Sequence, residues 1–119
     1  MKTPLLIFAF ALSACSTLPS GKTGVANACF PEALIMQKKL AAVQIPSRVI
    51  TFDYLEGGVL KGHAATVFRA GGETVAWDTN GARVLGGTAL YGATPMRQAA
   101  AFLDAGMTSA TPTVAREIR

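Results

Sequence analysis

Three residues of this chain carry the chemistry of a covalent acyl-transfer site, in the order Cys29, His63, Asp78. His63 is the only histidine, and the only other cysteine is Cys15, near the start. In such a set the thiolate attacks a carbonyl carbon and the imidazole takes and returns the proton. The carboxylate holds the imidazole in one tautomer. Cys29 falls where a helix is expected to begin. Asn27 suits the N-cap and Pro31 the first turn, so unpaired N–H groups and the positive dipole end would favour a thiolate there. Taken alone, Cys29 also suits an inert buried thiol, because free cysteine is among the most buried residue types. One histidine and one spare cysteine do not make a metal-ligand set. No glycine-rich loop reads as a phosphate cradle. No metal and no cofactor are expected.

The elements that must position these residues follow from pattern. Phe30 to Val43 is strongly apolar and predicts a central helix buried round most of its circumference. It should end before Pro46, since a residue preceding proline avoids the helical region. Ser47 to Leu55 is rich in β-formers, as are Gly62 to Arg69 and Glu73 to Trp77. Gly57-Gly58, Gly71-Gly72, Asn80-Gly81 and Gly86-Gly87 read as turns, with a short strand at Arg83-Val84-Leu85. Thr94-Pro95 opens a second helix, from Met96 to about Ala105, and Gly106 stops it. The pattern is α+β: a central N-terminal helix packed on a small antiparallel sheet.

Register brings two of the three residues together. If Gly71-Gly72 are the two turn residues, Ala70 lies opposite Glu73, His63 opposite Asn80 and Asp78 opposite Ala65. Side chains alternate along a strand, so His63 and Asp78 share a face as diagonal neighbours. Asp78 also suits the opening of a turn before Asn80-Gly81.

The ends of the chain read differently from its middle. Residues 1–14 form a secretory signal: Lys2 is a basic start, Pro4 to Ala11 an apolar run, and Leu12-Ser13-Ala14-Cys15 the close. The run is shorter than the ~20 apolar residues that span a bilayer. The closing four residues resemble a bacterial lipobox, in which the cysteine is lipidated and becomes the new N-terminus. Lipidation uses up Cys15 and leaves Cys29 as an odd thiol in an oxidising compartment; without it, a Cys15–Cys29 disulfide is the alternative. Residues 15–26 read as a flexible tether, 27–106 as the domain and 107–119 as a loosely ordered tail. The 119 residues carry 11 basic and 7 acidic side chains, a net charge of +4. The basic residues are scattered without interleaved aromatics, so nucleic acid is not implied.

The chain resembles the transglutaminase-like superfamily, relatives of the papain-fold cysteine peptidases. The resemblance rests on Cys29-Phe30, Ile45-Pro46-Ser47-Arg48-Val49, His63-Ala64 and Trp77-Asp78-Thr79, in order, with 16 residues from Cys29 to Ile45. It covers about residues 27 to 85. Gln44 stands where the family prefers glycine, Ala65 where an aromatic often follows His-Ala, and no glutamine precedes Cys29. The resemblance implies a papain/transglutaminase-like core with Cys29, His63 and Asp78 as a triad. Asn27 or the backbone N–H of Cys29 are the candidate oxyanion donors. Arg48 is expected to be structural, paired with a carboxylate or carbonyl.

The expected function is a lipid-anchored cysteine-dependent acyl-transfer enzyme of peptidase or amidase type. The alternatives are a transglutaminase passing the acyl group to an amine, and a non-catalytic envelope lipoprotein that uses the fold for binding. Expected partners are a peptide or protein substrate, a peptidoglycan stem among them, and the membrane through the lipid. The expected location is the outer membrane facing the periplasm in a cell with two membranes, because Ser16 lacks the acidic character that often retains lipoproteins at the inner one. Mass spectrometry of the native protein should show an acylated N-terminal Cys15. An unmodified N-terminus elsewhere would reject the anchor.

Overall fold

The computed structural model describes residues 23–106 and 109–118, with side chains from residue 30 onward. Cys15, the signal and most of the tether lie outside the described residues. The chain runs through α1 (Thr23–Ala42), β1 (Ser47–Glu56), β2 (Val59–Ala70), β3 (Glu73–Asp78), β4 (Gly81–Gly87), a short 3₁₀ turn (Thr88–Gly92), α2 (Pro95–Ala105) and β5 (Thr111–Ile118). This is an α+β domain on a five-stranded antiparallel sheet in the order β4-β3-β2-β1-β5.

The two long hairpins turn on glycine pairs because both central residues take positive φ. The angles are +60° and +80° at Gly57 and Gly58, and +59° and +80° at Gly71 and Gly72. Such turns match the right-handed strand twist. Ala70 lies opposite Glu73 and Thr66 opposite Trp77, the register expected from a two-residue turn. The third turn differs by one residue from the Asn80-Gly81 expectation. Asp78 pairs with Gly81, so Thr79 and Asn80 form the turn and Gly81 begins β4. Gly86 and Gly87 are not a turn either. They close β4 opposite Thr74 and Glu73, across a bulge.

Residues 111–118 correct the expectation of a loose tail. They form an edge strand on β1, from Leu55↔Thr111 to Val49↔Ile118. Pro112 cannot donate to a ladder, which confines it to an edge or a bulge. Both apply: the register shifts between Asp53 and Tyr54, and Thr113 there donates its hydroxyl to the Asp53 carbonyl at 3.3 Å. Arg48 anchors the strand. Its guanidinium donates to Glu117 Oε1 at 2.8 Å and to the carbonyls of Tyr91 and Ala93 at 2.6 and 3.0 Å. That is the structural role expected of it.

The sheet is covered on both faces. Ile50, Phe52, Tyr54, Ala65, Val67 and Ala76 pack against Ala99, Phe102 and Leu103 of α2. On the other face Val49 and Ala64 pack against Ala33, with Phe30 and Leu34 of α1 and Ile118 of β5. Thr66 donates its hydroxyl to the Ala33 carbonyl at 2.7 Å. Helix α1 is not buried all round as its composition suggested. Among its described side chains only Ala33 is buried and Ile35 is exposed, because one sheet face covers one side of a helix.

The link from α1 to β1 has a local conflict. Helix α1 ends with Val43 N–H on the Leu40 carbonyl and Gln44 N–H on the Ala41 carbonyl, and Gln44 takes φ +66°. This is the left-handed position that usually closes a helix with glycine. A non-glycine residue there costs about 1 kcal/mol. Gln44→Gly should therefore raise stability by up to about 1 kcal/mol in urea unfolding, less the extra freedom glycine gives the unfolded chain. A loss of stability would remove the account.

Candidate functional site

His63 and Asp78 meet, as their register required. His63 Nε2 lies 2.7 Å from Asp78 Oδ2, and the residues are 3% and 2% exposed. The second carboxylate oxygen, Oδ1, accepts the backbone N–H of Asn80 at 2.8 Å. One residue thus opens the β3–β4 turn and holds the imidazole, using a different oxygen for each. The two roles weighed for Asp78 coexist. With the carboxylate ionised, Nε2–H is the donor. Nδ1 is then the ring nitrogen that a nucleophile would have to reach.

Aromatic rings frame the imidazole. Phe52, directly opposite on β1, meets it edge-on at 5.6 Å, and Phe102 of α2 lies at 5.1 Å. Arg83 of β4 extends over the Phe102 ring at 4.0 Å, donates to the Phe102 carbonyl at 3.3 Å and stands 4.0 Å from Asp78 Oδ2. Gly106 makes room for it, since a Cβ there would come within 2.5 Å of Arg83 Nη1. A cavity of about 170 Å³ opens beside the pair, lined among others by Tyr54, Glu56, Asn80, Arg83 and Phe102. Sequence reasoning missed Tyr54, Arg83 and Phe102. The alternation of β1 could have found Tyr54, because it lies two residues from Phe52. Arg83 and Phe102 come from elements whose packing no local pattern specifies.

Cys29 lies within α1, but its side chain is outside the described residues, as is that of Asn27. The helix nonetheless corrects their expected setting. It begins at Thr23, so Asn27 is interior rather than the N-cap, and Cys29 is beyond the first turn. A continuous α-helix ties the Cys29 N–H to the carbonyl four residues back. That removes it as an oxyanion donor, and the helix dipole acts mainly on the first turn. Pro31 sits inside the helix, where its missing N–H and the crowding of its ring against the carbonyl four residues back both cost stability. Helix α1 packs on the Ala64 and Thr66 face, whereas the His63 ring turns to the α2 face.

Comparison with known protein families, characterised proteins and solved structures returns no match. Among the described residues no helix is long and apolar enough to cross a membrane. No group of three or more His, Cys, Asp or Glu side chains there could hold a metal ion.

Tyr54 reports on this cavity. Burial raises its phenol above the ordinary value of 10.0, and the negative charges of Glu56 and Asp78 raise it further, with Arg83 opposing. The folded state therefore resists ionisation that the unfolded chain accepts. Stability from this source is complete below pH 10 and falls as pH climbs through and beyond 10. Absorbance titration should show one of the two tyrosines ionising late. Tyr54→Phe should flatten the alkaline loss of stability, and an unchanged alkaline limb would refute the assignment.

Proposed function

We propose that the protein is a cysteine-dependent acyl-transfer enzyme of peptidase or amidase type, with a papain/transglutaminase-like core and Cys29, His63 and Asp78 as its triad. The observation that carries this reading is the buried His63–Asp78 contact through Nε2, which makes Nδ1 the proton-accepting nitrogen. The path of α1 supports it. Thr66 bonds the Ala33 carbonyl, and Gln37 bonds the carbonyl of Ser47, which lies opposite Phe68. Four helix residues rise about 6 Å, close to the ~6.8 Å of two strand residues. One such step before Ala33 carries Cys29 level with Ala64, next to His63. The β2–β3 ladder ends at Thr66↔Trp77. The reading requires the thiol to reach His63 Nδ1 at this end of the ladder, from the sheet face opposite the one the ring turns to.

The chemistry then follows in two halves. The thiol proton passes to His63 Nδ1 as Sγ bonds to the amide carbonyl carbon. The carbon–nitrogen bond breaks, and the amine leaves with the proton from His63. Water attacks the thioester and gives its proton to the imidazole. The carbon–sulfur bond breaks, the acid departs and the thiol is restored. Water is the acceptor, and a peptide is the substrate class. Anchoring by Cys15 would place this activity on the periplasmic face of an outer membrane, where a peptidoglycan stem is at hand.

Because α1 places Cys29 past its first turn, activation falls to the imidazole. Alkylation of Cys29 by iodoacetamide should be fast near neutral pH and should slow in His63→Ala. Asp78→Asn isolates the tautomer. The amide oxygen can keep the Asn80 N–H, but the amide nitrogen then donates to Nε2, moves the ring proton to Nδ1 and blocks proton uptake from the thiol. Acylation by an activated amide should fall by about 10²–10⁴-fold, with the melting temperature nearly unchanged. Unaltered acylation would remove Asp78 from the site and leave at most a Cys29–His63 pair.

A further inference from the structure

A second groove borders His63 on the sheet face that α1 covers. It holds about 170 Å³ and is lined by Thr51, Asp53, Val114 and Arg116, with Phe52, His63 and Ala115 completing its floor. Thr51 lies opposite Arg116 and Asp53 opposite Val114. All four therefore share one face, and Asp53 and Arg116 are diagonal neighbours about 7 Å apart at the backbone. The face is that of α1, because Ile118, two residues beyond Arg116, packs with Ala33 and Val49. Gly62, opposite Asp53 on β2, leaves the carboxylate its space. A Cβ at Gly62 would stand 3.3 Å from Asp53 Oδ1. The bulge at Asp53/Tyr54 bends β5 here.

The two charged groups are unmatched. Among the described residues the Asp53 carboxylate and the Arg116 guanidinium have no hydrogen-bond or ion-pair partner, whereas Arg48, Lys61 and Arg83 in the same sheet are all engaged. An anion and a cation on diagonal positions of one small groove match a ligand with the reverse pair. A wholly anionic or wholly cationic peptide would meet one like charge. The volume suits one amino-acid-sized group.

We infer that this groove binds a zwitterionic end group of the substrate, its ammonium against Asp53 and its carboxylate against Arg116. The adjoining amide then lies along α1 at Cys29. This deepens the acyl-transfer reading and rests on it for the fate of the amide, but not for binding. When the ammonium and the carboxylate sit on one α-carbon, the compact pair that a groove of this size takes, only the side chain is left to carry the amide. The substrate class is thus a side-chain-linked amide of an amino acid.

The test uses the full chain carrying Cys29→Ser, so that binding is read without turnover. Three probes differ only in charge: Nε-acetyl-lysine, its methyl ester, and Nα,Nε-diacetyl-lysine. Nε-acetyl-lysine should shift the backbone amide resonances of Asp53, Val114, Ala115 and Arg116, and bind at least about tenfold more tightly than either partner probe. Asp53→Asn should abolish the preference over the diacetyl probe, and Arg116→Gln the preference over the ester. Melting temperatures show that each variant is folded. Should Asp53→Asn unfold, the exposed Arg116→Gln carries the test. Equal binding of the three probes, shifts confined to another surface, or preferences unmoved by substitution would overturn the inference. The two readings fail separately. Selective binding with an unreactive Cys29 in the wild type defeats acyl transfer and keeps the groove. A reactive Cys29 with indifferent binding does the reverse.

Discussion

The site depends on one carboxylate serving two structures at once. Asp78 Oδ1 closes the turn that sends β4 back along β3, and Oδ2 receives the imidazole of β2. The turn fixes the direction of the carboxylate, and the carboxylate fixes the ring. A buried carboxylate without such partners is strongly disfavoured, and so is a buried imidazole without one. Each therefore makes the other tolerable at 2–3% exposure. The arrangement needs the β2–β3 hairpin in one register, since a slip by one residue would put His63 and Asp78 on opposite faces. The glycine pair at 71 and 72 specifies that register 8 residues away from His63.

That dependence explains what could be read in advance. Two-residue turns on glycine pairs are strong local signals, so the pairing of Ala70 with Glu73, and with it the His63–Asp78 contact, followed from the chain alone. The second helix did as well, with Thr94 accepting the Arg97 N–H at its start. Arg48 was legible as structural because a cation between strand residues must find acceptors. The C-terminal strand was not legible. Thr111 to Ile118 contains Pro112 and has weak alternation, and its order comes from β1 and from the Arg48–Glu117 pair. The start of α1 was misjudged for a related reason. Asn27 and Pro31 are good starting signals, but nothing local forbids a helix that begins earlier and runs through them.

The face on which each group lies also separates the tasks of the two helices. β2 is buried on both sides from Gly62 to Val67. Its odd positions hold His63, Ala65 and Val67 toward α2, and its even positions hold Ala64 and Thr66 toward α1. Small residues at 64 and 65 let both helices approach the strand closely. Ala65 carries no ring, and Phe102 of α2 supplies one beside His63. The aromatic wall is thus contributed by tertiary packing rather than by the strand itself.

Helix α2 is therefore part of the site as well as of the core. Phe102 shields the imidazole, and a drier setting strengthens every charge interaction within it. Arg83 ties that helix to the pair: it lies over the Phe102 ring, bonds the Phe102 carbonyl and faces Asp78 at 4.0 Å. The absence of a side chain at Gly106 lets the guanidinium pass beneath the end of the helix. If α2 withdrew, His63 would lose its shield and Arg83 the ring and carbonyl that hold it beside Asp78. The same withdrawal would leave Ile50, Phe52 and Val67 uncovered, at a cost of several kcal/mol by the ~25 cal/mol per Å² of apolar area. Packing of the core and polarity of the site are thus set by one contact surface. The imidazole is held in this orientation while the hydrophobic layer above it is closed.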